Sequence, residues 1–449
     1  MLRLFKSALL GVVLVVPGQA AFAFSLLGPY DTAYQVQRIS YQHVLPVYVD
    51  IGGPMNLGEE YRWNMRTVTY AIDPSVADYF GLRGMEEIRK AVAVLNALPP
   101  FSKMSADLSE FPLDTRRYNY EAGALGLIDL KSTVLASLME QMGLAEPERF
   151  TWTLFARIPQ TAPLVAYNVI TRNFDPVTWE PSKYVNGTLY TYGIFEIPTP
   201  PYDWADAVEL PVDPLAPTFT SVASGVGGLW AGSLFSGVFY SGLTRDDIGG
   251  LRYLYRPQNY NVERPVTGTT FSGGAAGTPV DPSTSTNAPI TALRPGVDKI
   301  TFTEAKYDSI FGPFITITNR YVDYFVTNNT LVKQYTQRIL TNGPDILFAA
   351  ADLGAALIAR STTTNWLNQD ALNGTTVLAG PGVIGPGSVI VLGARRDFLV
   401  NDNSSAQFLF ESGATRLAIW GSFDGTTNRP IVYPNGASID AIESQVLHR

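Results

Sequence analysis

The sequence of 449 residues contains no cysteine and only two histidines, His43 and His448. Without cysteine there are no disulfides, thiolate nucleophiles or zinc ribbons, and two imidazoles cannot complete a site that needs three from one chain. Charged residues make up only 16% of the chain, and the formal net charge is −8. Since binding to a polyanion depends on clustered positive charge, we expect no nucleic-acid partner.

The chemistry that remains is that of carboxylates, hydroxyls, amides and aromatic rings. A serine hydrolase needs a histidine beside its nucleophile, but His43 belongs to an N-terminal arm and His448 is penultimate, where chains fray. The carboxylate pair of a glycoside hydrolase is defined by separation in space and not in sequence. Glu180 beside Trp179, and Asp203 beside another tryptophan, therefore stay open as residues lining a sugar groove.

Residues 1–23 have the pattern of a secretory signal. Two basic residues precede an apolar run from Ala8 to Val16, and Ala21-Phe22-Ala23 is typical of a cleavage site. The apolar run is shorter than the roughly 20 residues that span a bilayer. We therefore expect cleavage after Ala23, a mature chain that begins at Phe24 without a transmembrane anchor, and a secreted, periplasmic or cell-surface location.

A stretch rich in Pro, Gly, Ser and Thr divides the mature chain. Residues 257–296 have the composition of a linker, so we predict a mixed α/β domain over 24–256 and a β-rich domain over 297–449. The predicted fold class is α+β, with a sandwich or jelly roll as the C-terminal domain. The alternative is a single core in which the C-terminal strands complete the N-terminal sheet.

The period of the apolar residues predicts the elements of the first half, since alternation indicates a strand and a stripe at helical spacing indicates a helix. The predicted strands are 66–72, with one buried face, 150–158 and 188–197, and the predicted helices are 84–98 and 125–143. The proline-containing stretch 205–220 predicts a loop, and 225–242 has no assignment.

In the second half, short apolar segments separated by Gly, Asn and Pro favour strands. The predicted strands are 299–303, 314–318, 322–326, 389–392, 406–410 and 416–420. Residues 333–340 and 345–358 are compatible with short helices instead.

The segment Leu243–Tyr255 predicts a short helix with a defined beginning. Thr244 is a capping residue, and Asp247 stands three residues later, at the spacing of a capping box. The inner face of this closing helix is formed by Ile248, Leu251 and Leu254.

Three features of the first half occur in an order that resembles the metzincin metallopeptidases, particularly the matrixin-like branch. They are a strand and helix from Tyr61 to Pro99, a second helix ending at Gly143-Leu144, and Leu243–Tyr255, which is similar to L-T-x-D-D-I-x-G-I-x-x-L-Y. The resemblance covers roughly residues 60 to 257 with gaps. It implies a mixed α/β fold whose middle helix carries H-E-x-x-H-x-x-G-x-x-H, with three zinc ligands and a general base.

The chain departs from that motif at every chemical position. When Gly143 is placed on the motif glycine, Ala136 and Glu140 fall at the first two ligand positions, Ser137 at the base and Glu146 at the third ligand. Alanine has no ligand atom, and a serine hydroxyl is not basic near neutral pH. The resemblance thus implies a scaffold without catalytic residues, metal or cofactor. The alternative is an ordinary amphipathic helix with a glycine stop and a solvated Glu140.

The sequence therefore predicts an exported, non-catalytic surface or extracellular protein on a scaffold similar to that of a metallopeptidase. Its partner is an extracellular protein or a glycan, and self-association is a further option. The alternative is a secreted hydrolase, either a residual metallopeptidase or a carboxylate-dependent glycosidase.

Overall fold

The structure of the chain is a computed structural model. It describes residues 23–27, 55–58, 60, 62–63, 66–72, 74–161, 164–199, 202–225, 235–263, 270–272, 279–280, 292–305, 307–308, 312–313, 317–327, 330–340, 345–346, 389–392 and 419–433. Both histidines, the predicted strand 406–410 and the predicted signal up to residue 22 lie outside the described residues.

The first half contains both helices and short strands, and with the several small sheets described below it is consistent with the α+β class. In chain order they are β1 (Ser25–Leu26), β2 (Thr67–Ile72), α1 (Pro74–Asn96), a 3₁₀ turn (Phe101–Lys103), β3 (Arg116–Tyr118), α2 (Tyr120–Ala124), β4 (Leu127–Asp129), α3 (Leu130–Gln141), β5 (Leu144–Ala145), α4 (Pro147–Phe150), β6 (Thr153–Pro159), β7 (Val165–Ile170), β8 (Tyr184–Val185), β9 (Thr188–Thr199), β10 (Tyr202–Pro211), a 3₁₀ turn (Val222–Gly225), β11 (Val238–Tyr240) and α5 (Arg245–Tyr255).

The described elements after α5 are all strands. They are β12 (Asn261–Glu263), β13 (Thr270–Ser272), β14 (Pro279–Val280), β15 (Ala292–Arg294), β16 (Thr301–Ala305), β17 (Tyr307–Asp308), β18 (Gly312–Pro313), β19 (Ile317–Thr327), β20 (Thr330–Leu340), β21 (Asp345–Ile346), β22 (Val389–Leu392), β23 (Ile419–Ser422) and β24 (Ile431–Tyr433). None of the helices in the described part of the chain has the length and apolar character needed to span a membrane.

The strands form several small sheets. The largest has the order β12-β15-β19-β20-β13-β14, and its centre is the antiparallel hairpin of β19 and β20. A four-stranded sheet has the order β16-β2-β22-β21, in which β2 runs parallel to both neighbours. A third sheet, β24-β23-β4, also joins the two halves of the chain, since β23 runs parallel to β4.

One large core contains apolar residues from both sides of the predicted linker. It takes in α1, α3 and α5, and also Ile300, Phe302, Trp420 and Tyr433 from the C-terminal half. The ring of Phe80 in α1 lies edge-on to Trp420 at 6.2 Å and to Tyr433 at 5.3 Å between ring centroids. Edge-to-face packing of this kind stabilises a buried aromatic cluster.

The division of the chain at residues 257–296 stays a prediction, and described strands on its two sides share sheets. β16 and β22 lie on either side of β2, and Ile300, Phe302, Trp420 and Tyr433 belong to the same core as the N-terminal helices, which is the arrangement expected of the single-core alternative. The predicted linker 257–296 itself contributes β12, β13, β14 and β15. β2 was predicted with one buried face but is buried on both from Val68 to Ile72, as is usual for strands of parallel sheets, and it has a partner on each edge.

Several predicted elements differ in extent or type. α1 begins at Pro74, ten residues before the predicted start, and contains a break at Gly81, whose φ of 65° favours glycine. The predicted helix 125–143 is divided into β4 and α3, and the predicted loop 205–220 contains most of β10. Residues 333–340 belong to strand β20 and not to a helix, because register pairing with β19 along eleven residues overrides local propensity.

Candidate functional site

The helix on which the resemblance places the motif positions, α3, begins and ends at well-defined caps. Asp129 is its N-cap, and its carboxylate accepts a hydrogen bond from the Ser132 amide at 2.8 Å. At the other end Gly143 has a φ of 100° and its amide donates to the Glu140 carbonyl at 2.8 Å. The left-handed conformation at this position is the helix stop that glycine provides.

The motif positions are all buried. Ala136 is fully buried, and the exposed fractions of Ser137, Glu140 and Glu146 are 3%, 4% and 3%. Gly143 is buried as well. The interpretation of Glu140 as a solvated residue on a polar helix face is therefore wrong, because α3 packs against α1 and also against the 3₁₀ turn Val222–Gly225.

The 3₁₀ turn fills the space beside Ala136. A methyl group added at Gly225 would lie 2.8 Å from the Cβ of Ala136 and 3.3 Å from the ring of Tyr240. Real carbon atoms do not approach so closely, so only small residues fit at this crossing. The backbone of the turn thus takes the place in which a larger side chain on α3, such as the imidazole of a zinc ligand, would lie.

Two buried carboxylates hold the segment 220–225 against α3, and we call them the carboxylate clamp. Glu148 of α4 accepts a hydrogen bond from the Thr220 amide at 3.1 Å and another from the Ser224 hydroxyl. Asp247 of α5 accepts from the Ser221 hydroxyl at 2.5 Å and from the Val222 and Ala223 amides at 3.0 Å each. Sequence reasoning missed Glu148, since nothing near Pro147–Phe150 marks it as buried.

Burial raises the pKa of Glu148 to about 7, with hydrogen bonds opposing and the charges of Asp247 and Glu209 adding to the effect. Arg149, the next residue, pairs with Asp206 at 2.6 Å and with Glu209 at 3.0 Å. The region between α4, α5 and β10 therefore holds more acidic than basic groups among the residues named here.

The closing helix α5 has the predicted capping geometry. Thr244 is the N-cap, its amide donates to the Asp247 carboxylate at 2.8 Å, and its hydroxyl donates to the same carboxylate at 2.6 Å. The inner-face residues Ile248, Leu251 and Leu254 are fully buried. The Asp247 carboxylate therefore has two roles. It completes the capping box of α5, and it belongs to the carboxylate clamp that binds the segment 220–225.

A second acidic residue at the start of α5 lies in a different environment. Asp246 is fully buried, and one of its oxygens, Oδ2, accepts a hydrogen bond from the Asn186 amide at 2.6 Å. The side-chain amide of Asn186 in turn donates to the hydroxyls of Thr220 and Thr244, at 3.0 and 3.2 Å. Neither Asn186 nor Asp246 was a candidate from the sequence, because Asn186 before a glycine looks like a turn residue and Asp246 looks like an ordinary acidic residue in the first turn of a helix.

The residues proposed for a sugar groove lie apart along the chain. Glu180 and Trp179 are in the loop after β7, with Glu180 exposed, and Asp203 is in β10 opposite Pro198. The guanidinium of Arg256 lies 3.6 Å from the centre of the Trp179 ring. One face of that ring is therefore covered by an arginine of the same chain through a cation–π contact.

Within the described residues, no group of three or more His, Cys, Asp or Glu side chains is placed to hold a metal ion. Comparison of the whole chain with protein-family models, with curated proteins and with solved structures finds no significant match. The function of the chain is therefore inferred from its own residues and their geometry.

Proposed function

We propose that this chain is an exported, non-catalytic surface or extracellular protein that binds an extracellular protein or a glycan, or associates with itself. In this proposal its first half is a scaffold similar to the metzincin metallopeptidases that lacks the zinc ligands, and its C-terminal part is of the sandwich or jelly-roll kind. The observation that carries the proposal is the burial of α3, with Ala136 packed against Gly225.

The packing of α3 supports a structural role for this helix. A hydrolytic site needs a concave, accessible surface on which the reacting groups converge. At the motif positions of this chain, the 3₁₀ turn lies directly on the helix and is held there by the carboxylate clamp. The carboxylates of the clamp accept hydrogen bonds from backbone amides and hydroxyls of the segment 220–225. These hydrogen bonds hold the segment in position.

Two hairpins supply surface for a partner. β6–β7 and β9–β10 pack on each other through Leu154, Ala205 and Ala207, and are joined by the Arg157–Glu196 ion pair at 2.5 Å.

On the outside of β9–β10, Phe195 and Leu210 are 52% and 42% exposed, and both lie next to Gly193. Adjacent exposed apolar side chains of this kind are typical of interaction surfaces.

The proposal is tested by metal analysis and a turnover assay on the purified chain that begins at Phe24. Zinc content is measured by mass spectrometry after exposure to one equivalent of zinc and desalting, and casein cleavage is followed with added zinc and with EDTA. We expect no stoichiometric zinc and no EDTA-sensitive cleavage, because Ala136 and Ser137 supply no ligand or base.

The matched variant for this assay is Glu140→Gln, which removes a carboxylate at a motif position and keeps its shape. Under the proposal it behaves like the unchanged chain. Stoichiometric zinc together with cleavage that EDTA abolishes, and that Glu140→Gln also loses, would instead establish a metallopeptidase and contradict the proposal.

A further inference from the structure

The β6–β7 hairpin, which comprises Thr153–Pro159 and Val165–Ile170, is a two-stranded antiparallel sheet. Among the strands that the structure describes, β6 is the one neighbour of β7. The backbone N–H and C=O groups along a sheet edge form a template on which another strand can pair. This sheet can therefore be extended at one of its two edges, that of β6 or that of β7.

The edge of β6 is protected in three ways against such pairing. The register of the strand shifts between Leu154 and Ala156, the strand ends in Pro159, and β6 packs against β10 of the neighbouring hairpin. Bulges, prolines and covering elements are devices by which proteins protect sheet edges. β7, with the sequence Val-Ala-Tyr-Asn-Val-Ile, contains no proline and no charged residue, so its sequence lacks such a device.

The surroundings of β7 carry no charge that would repel an identical strand. No Asp, Glu, Lys or Arg occurs from Ile158 to Thr171. The nearest charge in β6 belongs to Arg157, which is paired with Glu196 at 2.5 Å. Like charges that meet across an interface are unfavourable, and the residues of this strand bring none.

The two faces of β7 have different surroundings. The hydroxyl of Tyr167 donates to a glutamate of β9 at 2.7 Å, and Val169 packs on the core between the two hairpins. Since side chains alternate along a strand, Ala166 and Asn168 lie on the opposite face, and both are exposed. Ile158, the partner of Ala166 in β6, is 46% exposed. The outer face beside the edge is thus uncharged and partly apolar.

We propose that a second copy of this chain binds at β7, with the two β7 strands antiparallel across a twofold axis, so that the two hairpins form one four-stranded sheet. An antiparallel pair of identical strands is symmetric about such an axis, so each strand is the complement of the other. No register within residues 165–170 brings two charges together. The inference rests on the self-association option of the proposed function and gives that option a surface.

The composition of β7 also favours pairing with itself. Val165, Val169 and Ile170 are β-branched residues, which are enriched in strands and whose cross-strand packing stabilises a sheet. Ile158 and Leu164, which are 46% and 67% exposed, adjoin the extended sheet. Burial of apolar surface at this junction adds to the backbone hydrogen bonds of the new strand pair.

The test measures the mass in solution of the purified chain that begins at Phe24, by sedimentation equilibrium at concentrations up to about 0.1 mM. We expect a monomer–dimer equilibrium. Asn168→Lys places one positive charge per copy on the outer face of β7, and it should raise the dissociation constant of the dimer at least about tenfold. Asn168→Glu should have the same effect through the opposite charge.

An equimolar mixture of these two variants shows whether a loss of dimer is due to repulsion or to a loss of folding. Opposite charges then meet across the axis, and we expect the mixture to dimerise at least as well as the unchanged chain. Ala93→Lys, on the exposed side of α1, is the control and should leave the dissociation constant unchanged.

Three results of this experiment overturn the proposal. They are a chain that is monomeric over the whole range of concentrations, a dimer that Asn168→Lys leaves intact, and a mixture of the two charged variants that stays monomeric. A partner of another kind at this edge would give the first of these results.

The absence of cysteine from the chain allows a direct measurement of proximity. Asn168→Cys introduces a single thiol in each copy, and a short bis-maleimide links two thiols that lie close together. We expect a covalent dimer in high yield with Asn168→Cys and only background linking with Ala93→Cys. Equal yields for the two variants contradict pairing at β7.

Mass in solution and zinc-dependent cleavage separate a failure of this dimer from a failure of the proposed function. A monomeric chain without zinc or cleavage contradicts pairing at β7 and leaves a non-catalytic protein that binds another partner. Stoichiometric zinc with EDTA-sensitive cleavage contradicts the proposed function, whatever the mass in solution.

Discussion

At the scale of single residues, the clearest feature is the small side chain of Ala136. A methyl group added at Gly225 would lie 2.8 Å from the Cβ of Ala136 and 3.3 Å from the ring of Tyr240, so this crossing has no spare room. The contact between Ala136 and Gly225 therefore lies in the buried core.

Replacing Ala136 by histidine is expected to lower the free energy of unfolding by about 1–3 kcal/mol or more, because the imidazole must displace the 3₁₀ turn. The control is Ala93→His on the exposed side of α1, which we expect to change it by less than about 0.5 kcal/mol. Urea unfolding of both variants provides the measurement. Equal stability of the two variants would show that the space beside Ala136 is open.

Glu148 makes stability depend on pH. Its pKa of about 7 in the folded chain, raised from 4.5 by burial, means that between these values the folded state holds a proton that the unfolded state has lost. Stability is therefore greatest at low pH and falls as pH rises through this window. Burial of Asp129, whose pKa is raised to about 6, acts in the same direction.

The variant Glu148→Gln keeps the shape of the protonated acid and the contacts to Thr220 and Ser224. Between pH 5 and pH 7.5 we expect the wild type to lose about 2–3 kcal/mol relative to this variant. Urea midpoints at several pH values measure the difference, with the exposed Glu121→Gln as control. Parallel pH profiles for wild type and Glu148→Gln would contradict the assignment of Glu148 as the titrating group.

At the scale of elements, the first turn of α5 holds several other segments of the chain in place. Its cap residue Thr244 contacts Asp247 and Asn186, and its second residue, Asp246, interacts with the backbone of Ala23, just before β1. Because Asp247 also binds the segment 220–225, the beginning of α5 positions the turn that lies on α3. A substitution at this end of the helix is therefore expected to disturb the turn on α3 as well as α5 itself.

We expect Thr244→Ala to destabilise the chain by about 1–2 kcal/mol, since it removes the cap and leaves buried partners of the hydroxyl unpaired. Thr244→Ser retains the hydroxyl and should restore most of this loss. Denaturant melts of the chain that begins at Phe24 measure both. An equal loss in the two variants would assign the effect to the methyl group and not to the cap.

A separate prediction follows from the burial of the inner face of α5. Leu251 is fully buried in the large core, so Leu251→Ala should destabilise by about 2–5 kcal/mol through lost burial and a cavity. Leu82, which is 76% exposed, provides the matched Leu82→Ala control. The same midpoint in both variants would mean that α5 is not packed as the structure describes.

At the scale of the whole molecule, the two halves of the chain share sheets and core. β16 pairs with β2 over Thr301–Ala305, and β23 pairs with β4 at residues 419–421. The composition of the stretch between the halves still favours cleavage there, because Pro, Gly, Ser and Thr predominate over residues 257–296.

Limited proteolysis with a broad-specificity protease is therefore expected to cut in 257–296 and to leave the two fragments associated. Size-exclusion chromatography of the cut protein, followed by a denaturing gel of the peak, makes the measurement. We expect one peak with two fragments, which separate only in denaturant and do not each refold alone. Two peaks that each melt cooperatively would instead support the predicted division into independent domains.

The parts of the fold that the sequence alone determined are those whose signals are local. Alternation marked β2, the spacing of Thr244 and Asp247 marked the beginning of α5, and Gly143 marked the end of α3. In each case the residues that carry the signal lie within one turn or one strand of each other. Such patterns report backbone conformation. They do not fix burial, since β2 was predicted with one buried face and is buried on both.

Only the tertiary structure decided which surfaces meet. Glu140 lies in the interior because a turn some 80 residues away packs on its helix, and β2 is buried on both faces because strands more than 200 residues away join its edges. Asp246 lies beside Ala23 for the same reason. These contacts are set by packing and by hydrogen bonding between strand edges distant in sequence, and a periodicity that is averaged over a few residues contains no information about a distant partner.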